Sequence, residues 1–191
     1  MGASYTSSGP GMSQINKGIA ALNGADALVG IPEENGQRKK GEINNAELLF
    51  IFTNGSPLHG QPPRVVIEAA IEAEPTKTLI AKQLAKASAC ALDGDEAGMI
   101  DALDRAGQIG ESASKRWFTD PRNGWAPNAD STIRAKGSDR PGIDTGQMRR
   151  AITHITESGD GVHAGNATEF SPDTKIAFGA QAEATEVAEA V

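Results

Sequence analysis

Large apolar side chains are scarce in this sequence. Of its 191 residues 30 are alanine, whereas Leu, Ile, Val and Phe together number 35, and only eight residues are aromatic. So small a share of bulky side chains borders on the composition of disordered chains, but a net charge of −7 is too mild for disorder throughout. The expectation is one modest domain with loose ends and a thin core, a molecule that gains from contacts with copies of itself.

Other scarcities exclude whole classes. A single cysteine cannot form an internal disulfide, and Cys90, set among alanines, reads as a small packed hydrophobe. No run approaches the roughly 20 apolar residues that a membrane-spanning helix needs, and the start of the chain lacks the apolar segment of a secretory signal. A chain off the membrane and not exported by that route is expected. His59, His154 and His163 lie far apart, without the i, i+4 spacing that puts two imidazoles on one helix face, so neither a metal nor another cofactor is expected. The phosphate-binding glycine motifs and the Gly-x-Ser-x-Gly elbow are missing as well. With a pI near 5.0 and few aromatics, tight nucleic-acid binding is not expected.

What is present is unevenly distributed. Residues 1–12 are uncharged and dense in Gly, Ser and Pro, the composition of an arm. Residues 158–191 carry Asp160, Glu169, Asp173, Glu183, Glu186 and Glu189 against Lys175, so this acidic extension supplies most of the net charge. Residues 105–150 hold nine Lys or Arg and five Asp or Glu, a basic segment suited to pairing with acidic protein surface, this chain's own carboxyl-terminal stretch included. The domain between the two ends is placed at residues 13–157.

Periodicity supplies the elements. Ile15, Ile19 and Leu22 mark a short helix closed by Gly24, and Ala27–Ile31 reads as a strand stopped by Pro32. Residues 33–43 form a charged loop. Asn44 or Asn45 caps a helix through Phe52, with Glu47 early in it and Asn54-Gly55 ending it in a left-handed turn. Pro57, Pro62 and Pro63 hold an extended segment. The run Val65–Ile71 is open to strand or helix, with Ala and Glu favouring helix. After Pro75, Leu79, Ile80, Leu84 and Ala87 share one helix face as far as Asp93-Gly94. From Glu96, Met99, Leu103, Ala106, Gly110, Ala113 and Trp117 form a stripe whose small middle members invite a close neighbour. Residues 120–146 are a long polar excursion, and a loop of that length is usually functional or disordered. Gln147–Ile155 reads as a helical turn feeding a strand with Ile152 and Ile155 inward, followed by weaker strand candidates at Val162 and at Ile176–Phe178.

Asp144-Thr145-Gly146 matches the tripeptide that carries the catalytic carboxylate in aspartic proteases, where two such loops share one proton. Its flanks are polar rather than apolar strands, so helix capping by Asp144 or Thr145 is the favoured reading. A hydrolase acting as a dimer around Asp144 remains the enzyme alternative.

Taken as one unit, the excursion contains Trp125-Ala126-Pro127-Asn128, Ser131-Thr132-Ile133, Lys136-Gly137-Ser138-Asp139, Pro141, and Ile143-Asp144-Thr145-Gly146-Gln147-Met148-Arg149-Arg150-Ala151-Ile152. Upstream stand Asn45–Pro57 and Pro62-Pro63-Arg64. In this order the two strings resemble the tail-completion and head-to-tail joining (neck) proteins of tailed bacteriophages. Those families have a Trp-x-Pro-Asn element, a Lys-Gly pair and an apolar-Asp-Thr-Gly-x-Leu-Arg-x-x-Ile run, preceded by a short helix and Ile-Pro-Pro-Arg-Pro-Phe. Gln61 and Val65-Val66 depart from that pattern.

The resemblance implies an α+β subunit: a small antiparallel sheet against the long helix, with extended loops and arms, closing with copies of itself into a ring. It implies no active site. Implied partners are the portal/connector or head-completion protein, the tail tube or tail terminator, and DNA passing through the lumen without specific binding. The implied location is the virion, assembled in the bacterial host cytoplasm. Candidate interface residues are Pro62, Pro63 and Arg64, as a stiff exposed turn with Arg64 bridging to a neighbour; Trp125 and Asn128, anchoring the long loop; and Asp144, Thr145 and Arg149, orienting the element that follows. A small phage-encoded interaction protein sharing only local strings is the remaining alternative.

Overall fold

The computed structural model describes residues 11–32, 36–37, 43–159 and 161–164, the last four by backbone alone. Most of the arm at 1–12 and of the acidic extension lies outside these residues, as do most of the charged loop at 33–43 and the strand candidate at Ile176–Phe178.

Two helices form the frame. Helix α4 (Thr76–Asp93) and helix α5 (Glu96–Trp117) are joined at Gly94 and Asp95 and pack against each other. Asp95 starts α5 by accepting a hydrogen bond from the Gly98 N–H at 2.9 Å. Every member of the expected stripe on α5, from Met99 to Trp117, is buried. Of its small residues, Gly110 does what the spacing suggested, since a side chain there would meet Val29 at 3.0 Å; Gly107, outside the stripe, adds a second close approach, where a side chain would lie 2.8 Å from His154 Cδ2. The sheet therefore lies close against this helix.

That sheet is small, and with the helices it makes the architecture α+β, as the sequence indicated. Strand β1 (Asp26–Gly30) pairs antiparallel with β2 (Thr153–Ser158), Leu28 opposite Ile155, and β2 pairs with β3 (Gly161–Ala164). The strand β3 lies past residue 157, inside the stretch that composition assigns to the acidic extension. Ile152 and Ile155 are both wholly buried, as expected of inward positions.

Shorter helices complete the layers. Helix α1 (Met12–Asn23) leans on α4, where Gln14 Nε2 donates to the Asp93 carbonyl at 2.7 Å. Helix α2 (Asn45–Asn54) begins with Asn44: its side chain accepts from the Glu47 N–H while the Glu47 carboxylate accepts from the Asn44 N–H. Helix α3 (Ile67–Glu72) settles the ambiguous run in favour of helix, though Val65 and Val66 stay outside it. Near the end come α6 (Asp130–Lys136) and α7 (Gln147–Ala151), the latter packed against α2.

The core is as thin as the composition implied. One apolar cluster joins Val29, Phe52, Val66, Ile71, Phe118 and Ile152; a second, under α1, is built largely from Ala87, Ala91, Ala102, Met99 and Leu103, with half-buried Cys90 beside it. Two expectations need correction. Leu79 and Leu84 were assigned to the buried face of α4, yet they are 44% and 36% exposed, because alanines and Thr76 occupy the contact instead. The excursion at 120–146 is not all loop: α6 forms within it, with none of its residues buried, so no apolar periodicity announced it.

Candidate functional site

Two segments far apart in sequence face each other across a groove of about 740 Å³. One wall is the turn after α2. There Gly55 takes φ 77°, Ser56 and Gln61 bridge, a single 3₁₀ turn spans Pro57–His59, and Pro62 and Pro63 follow, both exposed. The opposite wall runs from Pro127 to Met148 and includes α6. Leu48, Phe52 and Met148 provide apolar lining; Arg64, Lys136 and Asp144 provide the charges.

The opposite wall is fixed by contacts with its own chain. Trp125 is half-buried and meets Phe52 and Phe118 edge-on, with centroids 5.3 and 5.7 Å away, and its indole N–H donates to the Val65 carbonyl at 3.3 Å. Phe52 and Phe118 stack at 6.1 Å. Asn128 Nδ2 donates to the Asp139 carbonyl at 3.1 Å, closing the wall across eleven positions. Gly142, at φ 71°, lies so near this aromatic trio that a Cβ there would come within 2.8 Å of both phenyl rings.

Arg64 differs most from its sequence reading. It was expected in an exposed turn, reaching toward a neighbour; instead it is only 6% exposed. Val66 and Ile67, next along the chain, are drawn into the core and carry Arg64 inward, where its guanidinium lies over the Phe52 ring at 5.5 Å. Nη2 donates to the Ala126 carbonyl at 3.0 Å, while Nε is buried and has no hydrogen-bond partner among the described residues. Burial lowers the Arg64 pKa below its ordinary value. The Lys136 ammonium is lowered too, first by burial; the Asp144 charge offsets part of this and the Arg64 charge adds to it.

Thr145 and Asp144 do not cap α7 as expected. The capping position belongs to Gly146 in a left-handed conformation, and Thr145 contributes only a long 3.4 Å acceptor to the Gln147 N–H. Asp144 lies near enough to Lys136 to act on its charge and is the one carboxylate among the described lining residues, whereas a protease dyad requires two. Arg149 Nε donates to the Lys115 carbonyl at 2.7 Å, joining α7 to the end of α5. Thus Arg64, Trp125, Asn128 and Arg149 all make contacts inside the subunit, while Pro62, Pro63, Asp144 and Thr145 are open to solvent.

A second polar cluster escaped sequence reasoning. His154 on β2 is bracketed by Glu111, 2.5 Å from Nδ1, and Asp104, 3.0 Å from Nε2, both on α5. Burial works to raise the Glu111 carboxyl, but hydrogen bonds from Lys115 and His154 outweigh it and hold the pKa below the ordinary value. The cluster pins the sheet to the long helix. The i, i+7 spacing of Asp104 and Glu111 puts both on one helix face, which was the available signal; that His154 would lie opposite them was not. Among the described residues, no group of three or more His, Cys, Asp or Glu is arranged to hold a metal ion, and no helix is long and apolar enough to cross a membrane.

No family model, curated protein or solved structure matches this chain.

Proposed function

We propose that this protein is a structural subunit of a tailed bacteriophage, one copy in a ring at the head–tail junction or the tail end, with DNA passing through the lumen. The observation that carries the reading is the hydrogen bond between Arg64 and Ala126. The two strings that resemble neck and tail-completion proteins meet at this bond and form the walls of one groove. Shared local strings alone give no reason for that convergence.

Surface chemistry supports the same reading. Phe50 and Leu58, at 60% and 89% exposure, leave apolar area open on α2 and the turn after it; Ile19, Leu79 and Leu84 do so on α1 and α4. A closed ring of identical subunits needs two unlike patches that fit one another, and these lie on different elements. A thin alanine-rich core gains from such contacts. A net charge of −7 lets DNA slide past instead of adhering. The partners are further copies of the chain, the connector or head-completion protein, and the tail tube or terminator, in a virion assembled in the bacterial cytoplasm.

Light scattering on the purified chain, alone and mixed with connector or tail-tube protein, tests this. A ring, or a monomer that assembles on mixing, is expected. A chain that stays monomeric under every one of these conditions overturns the proposal.

A further inference from the structure

We infer that the groove between the Pro57–Arg64 turn and the Pro127–Met148 wall is the seat of an acidic stretch of this same sequence, residues 165–191. The inference stands apart from the ring reading, since it requires a groove and a peptide but no closed assembly.

Arg64 makes the case for a carboxylate. Arg64 is only 6% exposed as a residue, so its cation has given up much of its hydration; among the described residues its Nε–H has no acceptor, and the bond from Nη2, at 3.0 Å, goes to a neutral carbonyl. A carboxylate seated in the groove offsets that buried charge from a short distance, and direct contact falls to the half-exposed Lys136 ammonium, since Arg64 Nε is closed to solvent. Lys136 lines the same groove, half-buried, so the described lining holds two cations and one carboxylate, Asp144, and the site carries an excess positive charge. A volume of about 740 Å³ is ligand-sized, within the roughly 300–1,000 Å³ of binding clefts.

The sequence contains a fitting occupant. Residues 165–191 carry Glu169, Asp173, Glu183, Glu186 and Glu189 against Lys175, and intersperse Phe170, Ile176, Phe178 and Val187 that suit the apolar lining at Leu48 and Met148. Their 27 residues could extend about 90 Å from Ala164, so reach does not limit docking. A nucleic-acid strand fits less well. Asp144 repels phosphate, and Phe52, the one Phe, Tyr or Trp in the described lining, is 5% exposed, which leaves His59 as the one exposed aromatic ring there, short of a row of stacking platforms.

Zero-length carbodiimide coupling of the full-length chain, followed by digestion and mass spectrometry, provides the test. An amide between Lys136 and one of the five acids is expected, exceeding coupling of the exposed Lys82 to the same acids by about tenfold, because a seated peptide raises local concentration. High salt should reduce that excess. In a second chain all five acids become amides (E169Q, D173N, E183Q, E186Q, E189Q), changes that lie outside the described domain. There the acetylation rate of Lys136 should rise severalfold. Coupling of Lys136 only to carboxylates within residues 11–159, or an acetylation rate that the five changes leave unaltered, overturns the inference. So does protection of Lys136 by a short DNA duplex but not by the acidic segment.

Discussion

Arg64 Nη2 and the carbonyl oxygen of Ala126 lie 3.0 Å apart although 62 positions separate them in sequence. This bond clamps the proline turn to the loop that Trp125 anchors, and with it the two walls of the groove. Arg64→Ala removes the bond, the stem that covers Phe52 and the guanidinium over that ring. A loss of about 2 kcal/mol is expected, in line with a hydrogen bond from a charged donor together with lost packing. Arg64→Met keeps most of the volume and removes a buried charge with an unpartnered Nε, so it should cost less than the alanine change. Urea unfolding of the two variants checks the order; equal losses would mean that packing contributes nothing here.

The Glu111–His154 contact makes stability depend on acid. The folded-state pKa of Glu111 lies below its unfolded value of 4.5, so its contribution is fully present above 4.5 and disappears as pH falls through the lower native value. Glu111→Gln keeps the shape but cannot hold a negative charge against His154 and Lys115. The variant should be less stable than the parent at pH 6 and should approach it below the carboxylate range. Denaturant midpoints measured from pH 6 down to pH 3 give the comparison; parallel profiles would remove Glu111 from the account.

Much of this fold is legible along the chain, and the residues show why. Met99 to Trp117 could be read because one face of a long helix is covered over its whole length, so burial repeats with the helical period. Asn44 and Glu47 could be placed because capping is local. Leu79 and Leu84 misled for a related reason: their spacing describes an apolar face, but a helix can bury its alanines and leave leucines at the edge. Helix α6 has no apolar stripe to detect. The groove depends on pairs such as Arg64 with Ala126, and the His154 cluster on partners 43 and 50 positions away; such distances are set by the packing of whole elements. Arg64 was the hardest to place, since an arginine after two prolines reads as surface and only the core-bound Val66 and Ile67 draw it in.

Gly142 is the narrowest point of the loop wall. Its φ of 71° disfavours any side chain, and a Cβ would lie 2.8 Å from the rings of Phe52 and Phe118. Gly142→Ala combines backbone strain with overpacking and should cost about 2 kcal/mol. For a chain of this size that is about 6 °C in melting temperature. Calorimetry measures it directly, and an unchanged transition would show that the loop moves aside freely.

The exposed apolar patches test ring formation through the logic of unlike faces. Phe50→Asp on α2 and Leu79→Asp on α4 alter side chains 60% and 44% exposed, so each should change folding stability by less than about 0.5 kcal/mol. If the two patches meet each other in head-to-tail contacts, each variant alone retains one good face and loses the complementary one, and both remain monomeric. Mixed in equal amounts, the surviving patch of one fits the surviving patch of the other, and the mixture should form dimers that grow no further. Native mass spectrometry distinguishes these species. Association of either variant at the parental level, or a mixture that stays monomeric while the parent assembles, would rule out a contact between these two faces.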